Sequence, residues 1–200
     1  MCYEAAKTFR VQGVRRAVIK FRFKPRKALE AIEWMLASAG VPVDFHTILK
    51  TAYFADKRML NEHGRPIFGA NYRAMNYGPV PVEIYEMLKC EAYWLSELER
   101  EDYPWKREGG YRVERPRGRN HDVTTDSLAP AEMRILAEEF ERSRRMTFNH
   151  RTRETHGLDW VEGTRRQDER MAYEDMIDPD RPDRADLIED LEVMGPRLAH

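Results

Sequence analysis

A carboxylate placed inside an apolar stripe of helical period restricts this chain more than any other feature. Ile48, Leu49, Ala52, Tyr53, Asp56, Met59 and Leu60 recur at the spacing of one helix face. On that face Asp56 falls between Leu49, Tyr53 and Leu60, where burial is expected. A buried, unpaired carboxylate costs several kcal/mol, so Asp56 needs a partner or a pocket. The expected partners are a tyrosine, an arginine or backbone amides of the 69–81 segment. Direct contact with a partner protein and a catalytic role are the alternatives. No second acid or base shares the helix face, which weighs against catalysis.

The surrounding pattern is mainly helical. Pro25 suits a first turn, because its missing N–H would be unbonded there anyway. Ala28, Ala31, Ile32, Met35, Leu36 and Ala39 follow at helical spacing, and Gly40 ends the run. After the short link Val41-Pro42-Val43, Asp44 is a good N-cap for the second helix, which Gly64 closes. So short a link predicts an antiparallel or steeply crossed helix pair.

Residues 65–81 read as a loop, a short strand from Asn71 to Asn76 and a turn. Gly78-Pro79-Val80-Pro81 is stiffened by two prolines, and Pro81 opens a third helix reaching Leu98. Such a preformed segment loses little entropy on binding and makes a good docking edge; it equally serves as a stiff turn into that helix. Tyr103 to Arg115 alternates around Gly109-Gly110, which predicts a β-hairpin. Pro130 opens a fourth helix with Met133, Leu136, Ala137 and Phe140 on one face. Thr147 or Asn149 caps a short helix leading to His156–Trp160, and a last helix runs from Asp183 to Met194. The class is α+β, mainly α: a compact helical domain with a small antiparallel β element.

Charge divides the chain. Lys+Arg number 34 against Asp+Glu 35, so a net charge of −1 supplies no global attraction to nucleic acid. The ends are opposed, however: residues 1–23 form a basic extension and residues 168–200 an acidic tail with a short helix, on either side of a domain spanning 24–167. Cys2 and Cys90 are too few and too far apart for a disulfide framework or a zinc cluster. The apolar runs fall well short of the roughly 20 residues a membrane crossing needs. Residues 1–27 lack the apolar core of a secretory signal, so a cytoplasmic protein is expected.

Chemistry-bearing patterns are sparse. The six histidines form no i, i+4 pair and have no neighbouring cysteine, so no metal site is expected. The glycines of 64–78 match neither phosphate-loop fingerprint, and no G-x-S-x-G elbow occurs, so no cofactor and no catalytic residue are expected. His156 and Trp160 are four apart and can stack on one helical face. Tyr53, Phe54, Phe68, Tyr72, Tyr77 and Tyr85 crowd one third of the chain, and aromatics in such density build either an interface or a core.

The strings KALEAIEWML, ILKTAYFADK, GRPIFG, YRAMNYGPVP and EIYEML, between Lys27 and Lys89, resemble the Panacea domain in order and spacing. That domain is also called SocA-like or phage-associated GepA-like. The helix from Pro130 and the His156–Trp160 segment are similar to the family's C-terminal half. The resemblance implies a bacterial antitoxin that neutralises a cognate toxin by direct binding, with no catalysis. In the SocA branch it also implies an adaptor that delivers the toxin to the ClpXP protease. It marks Tyr53, Asp56, Lys57, Gly69, Tyr72, Tyr77, Gly78, Pro79, Pro81, His156 and Trp160 as partner-binding or domain-defining positions. A DNA-binding autorepressor using basic residues 7–27 is the alternative, although no recognition helix follows them. A small hydrolase using Asp56 or His156 is the third reading. Neither a membrane nor a nucleic acid is an expected partner, and the oligomeric state is left open.

Overall fold

The computed structural model describes residues 19–116 and 123–194; most of the basic run at the start of the chain lies outside them. The architecture is mainly helical with two small antiparallel sheets, as expected. Among the described residues no helix is long and apolar enough to cross a membrane.

Helices α1 (Pro25–Ala39) and α2 (Phe45–His63) both end on glycines, Gly40 at φ +65° and Gly64 at φ +68°. At such angles a side chain is strained, so glycine stops each helix where the pattern predicts. Asp44 caps α2 by accepting the Thr47 amide at 2.8 Å and the Thr47 hydroxyl at 2.6 Å.

Helix α2 runs through the middle of the molecule and is buried almost all round. Ile48, Leu49, Ala52, Ala55 and Met59 join one core with α1, α3 (Val82–Leu88) and α5 (Pro130–Arg145). Tyr53, Phe54 and Leu60 point into a second cluster with Tyr72, Met171, Tyr173, Met176, Ile188 and Leu191. Those last five residues come from α8 (Tyr173–Met176), α9 (Arg184–Met194) and the segment preceding α8. Glu132, fully buried at the start of α5, accepts from its own Ala129 amide at 2.9 Å, from Lys27 at 2.6 Å and from Arg65. One carboxylate thereby ties α1, the loop after α2 and α5 together.

Two segments depart from the sequence expectation. Gly78–Pro81 is not a bare turn but strand β3, paired with β2 (Tyr72–Met75) around an Asn76-Tyr77 loop. The register explains how two prolines fit. Val82 donates to Asn71 at 2.8 Å, which assigns the inward donors of this ladder to Val82, Val80 and Gly78. Pro79 and Pro81 take the alternate positions, where the ladder needs no donor. The other edge of β2 is closed by residues 169–171, with Ala74 donating to Glu169 at 2.8 Å and Met171 to Tyr72 at 3.0 Å.

The third helix is also broken, into α3 and α4 (Ala92–Glu97), at Cys90 with φ +64°. Apolar spacing continues through Trp94, Leu95 and Leu98, so the break leaves no mark in the pattern. It lets Trp94 turn back onto Phe23, ring centroids 5.0 Å apart, while donating to Glu86 at 2.9 Å. The hairpin predicted around Gly109-Gly110 forms from β4 (Lys106–Arg107) and β5 (Arg112–Glu114), and β5 also pairs with β1 (Val43–Asp44). Helices α6 (Phe148–Glu154), capped by Thr147, and α7 (Leu158–Thr164) complete the fold.

Candidate functional site

Asp56 is wholly buried, and its partners are close to those expected. One oxygen accepts the amides of Ile67 and Phe68, both at 2.8 Å, and the other accepts the Tyr72 hydroxyl at 3.0 Å. These donors come from residues 67–72, so the carboxylate fastens the loop after α2 and the start of the β2–β3 hairpin to α2 itself. Burial pushes its pKa up to about 7 against the pull of these hydrogen bonds. Gly69, at φ +67°, follows that anchor. A Cβ there would lie 2.7 Å from the Arg22 carbonyl, so the close passage of the chain after Asp56 admits only glycine.

A second buried carboxylate, Asp159 on α7, faces the same stretch of α2. It accepts the Tyr53 hydroxyl at 2.6 Å and pairs with Lys57 at 3.1 Å, tying α7 to α2. His156 stacks on Trp160 as expected, with centroids 3.7 Å apart and planes 3° apart, and the Trp160 indole donates to the Met75 carbonyl at 3.0 Å. Tyr53, Asp56, Gly69, Tyr72, Gly78, Pro79 and Pro81 are buried, Lys57, His156 and Trp160 half-buried, and Tyr77 alone of the eleven is exposed.

Tyr77 leads to residues that sequence reasoning passed over. It stands on the rim of a cavity of about 630 Å³ between α2, the hairpin tip and α6. Tyr77, Tyr111 and Phe148 are 63, 71 and 43% exposed there, over walls of Phe45, Leu49 and Val80. The tip is held in place from below. Gly78, at φ +92°, lies so close to Lys50 and Thr155 that a Cβ would come within 2.3 Å of the Thr155 hydroxyl oxygen. The Lys50 ammonium, 1% exposed, donates to the Pro79 carbonyl at 2.8 Å, and no carboxylate among the described residues lies within ion-pair distance of it. Burial first, and then Arg151, lowers its pKa to about 7.

Arg151 donates to the carbonyls of Ser143 at 2.8 Å and Met146 at 2.9 Å, to His46 Nδ1 at 3.1 Å, and to Asp44 at 3.3 Å. Because His46 Nδ1 accepts, its proton is on Nε2, which donates to the Tyr77 carbonyl at 3.3 Å. Burial, Lys50 and Arg151 hold His46 down to about 4, so it is neutral at ordinary pH. No sequence signal points to this floor: lysine and arginine normally lie at the surface, and His46 and Arg151 meet only through the fold.

The arrangement offers a preformed, aromatic-rimmed groove. Burial first, and then the carboxylate each is bonded to, holds Tyr53 and Tyr72 well above the ordinary tyrosine range, so both stay protonated. Among the described residues, no three His, Cys, Asp or Glu side chains come together as a metal site. No curated protein and no solved structure matches the chain. The model of one family, the SocA-like antitoxins with a Panacea domain, matches residues 48–161, more than half of the 200, and the chain belongs to that family.

Proposed function

We propose that the chain neutralises a toxin protein by binding it directly, without turning over a substrate, through the groove framed by Tyr77, Tyr111 and Phe148. One observation carries the reading: these rings stand open around an apolar cavity while the backbone beneath the hairpin tip is pinned by Lys50, Thr155 and His46. A surface already ordered loses little entropy on association, and solvent-exposed tyrosines are frequent binding hot spots.

The test is co-expression with the product of the adjacent gene. Co-purification is expected, over an interface on the order of 1,600 Å². Tyr77→Ala and Tyr111→Ala should each weaken the complex by about tenfold or more. Passage of that product over the immobilised chain without retention removes the proposal. Delivery of the bound toxin to ClpXP is the extension suggested by the SocA branch. It requires faster ClpXP digestion of the toxin in the presence of this chain, and an unchanged rate leaves blockade as the mode of neutralisation.

A further inference from the structure

Resting on that reading of the groove, we propose that its occupant is an acidic–aromatic segment of the toxin. One bulky apolar side chain fills the cavity, and a neighbouring aspartate or glutamate faces Arg112. The walls and the floor argue for the two halves separately. The walls are apolar, and about 630 Å³ accommodates an aromatic side chain with its neighbours.

The floor and rim carry an excess of positive charge. Lys50, Arg151 and Arg112 all line the groove, against the single lining carboxylate of Asp44. Asp44 is already engaged as the α2 cap, where it accepts twice from Thr47. Arg151 donates to two carbonyls and His46, and Lys50 to one carbonyl; the 3.3 Å contact of Arg151 with Asp44 is the one ion pair either makes among the described residues. Arg112 is the accessible one: its side chain is 54% exposed, it donates to the Pro42 carbonyl at 2.9 Å, and Glu108 lies 3.6 Å away.

The lowered pKa values of Lys50, His46 and Arg151, due first to burial, include repulsion between cations for Lys50 and His46. A ligand carboxylate relieves that field without touching Lys50, because charges interact strongly across a low-dielectric wall. A basic segment meets like charge in this groove and is disfavoured there.

Random short peptides displayed on phage and selected on the immobilised full-length chain test this. Selected sequences are expected to pair Trp, Phe or Leu with Asp or Glu within a position or two. As synthetic fluorescent peptides, they should lose about tenfold or more in affinity when the acid is replaced by Lys, or when the chain carries Arg112→Glu or Tyr111→Ala. Circular dichroism and urea midpoints are compared first, so that unfolding is not read as lost binding. Basic winners, winners indifferent to both variants, or no enrichment over bare support would overturn the proposal. So would a dimer that Arg112→Glu dissolves, since a second copy would then occupy the groove. The same variants assayed against the adjacent gene's product separate the two layers. Wild-type binding that both variants leave intact ends the groove assignment alone, whereas absence of wild-type binding ends the antitoxin reading itself.

Discussion

At the scale of single residues, two buried charges on α2 do opposite things to stability as pH changes. Asp56 titrates near 7 when folded and near an ordinary 3.8 when unfolded, so the folded state holds the proton more tightly. The contribution of Asp56 to stability therefore falls as pH rises from about 4 to about 7 and is level above that. His46, held down to about 4, contributes the opposite slope in the same window, so urea midpoints should rise more steeply with pH in Asp56→Asn than in the wild type. Asp56→Ala strands the amides of Ile67 and Phe68 and should lose about 2–5 kcal/mol. Lys50 is the converse case, with a folded value about 7 against 10.5, so deprotonation favours folding and stability rises between those values. Lys50→Met should abolish that alkaline gain and lie within about 1 kcal/mol of wild type at pH 7, because a lost hydrogen bond offsets removal of a buried charge. Asp56 was legible in the sequence because a carboxylate interrupts an apolar stripe. Lys50 was not, because a lysine's presence on a helix says nothing of which way the tertiary packing turns it.

At the scale of elements, helix ends were readable because they depend on one residue's backbone freedom or one side-chain cap. Gly40, Gly64 and Asp44 act where the pattern placed them, and of Thr147 and Asn149 it is Thr147 that caps α6. The β2–β3 hairpin shows the limit. Its prolines suggest a turn, yet the register sets them at positions without a ladder donor, and pairing with Tyr72–Met75 makes Gly78–Pro81 a strand. Gly78 tests how tightly this element is seated. Gly78→Ala combines a left-handed φ of +92° with a clash on Thr155, and should destabilise the fold by about 2–4 kcal/mol. A thermal melt measures the loss, and a drop much under 1 kcal/mol would mean that α6 moves freely relative to the tip. The break at Cys90 was equally hidden, since the contact of Trp94 with Phe23 that accompanies it joins residues far apart in sequence.

At the scale of the whole molecule, the segment after Gln167 bears on the integrity of α2. Met171, Tyr173, Met176 and Ile188 cover Tyr53, Phe54, Leu60 and Tyr72, and residues 169–171 extend the hairpin as a further strand-like edge. A chain ending at Gln167 exposes that apolar face. It is expected to lose cooperative unfolding and to aggregate on concentration, which urea titration and light scattering would detect. A truncated chain that still unfolds in one sharp transition would show that α1, α2, α3 and α5 are sufficient by themselves.

The linear pattern by itself determined the helices and their stops, the buried acid, the hairpin around Gly109-Gly110 and the kinship carried by FADK and YGPVP. These are local matters: periodicity, caps and backbone freedom act within a few residues of one another. Which rings are left facing water was decided only in three dimensions, and so was the gathering of Lys50, Arg151 and His46 beneath Tyr77. Residues about a hundred positions apart meet there, and long-range packing, not neighbouring sequence, sets whether a side chain ends in the core or on a rim.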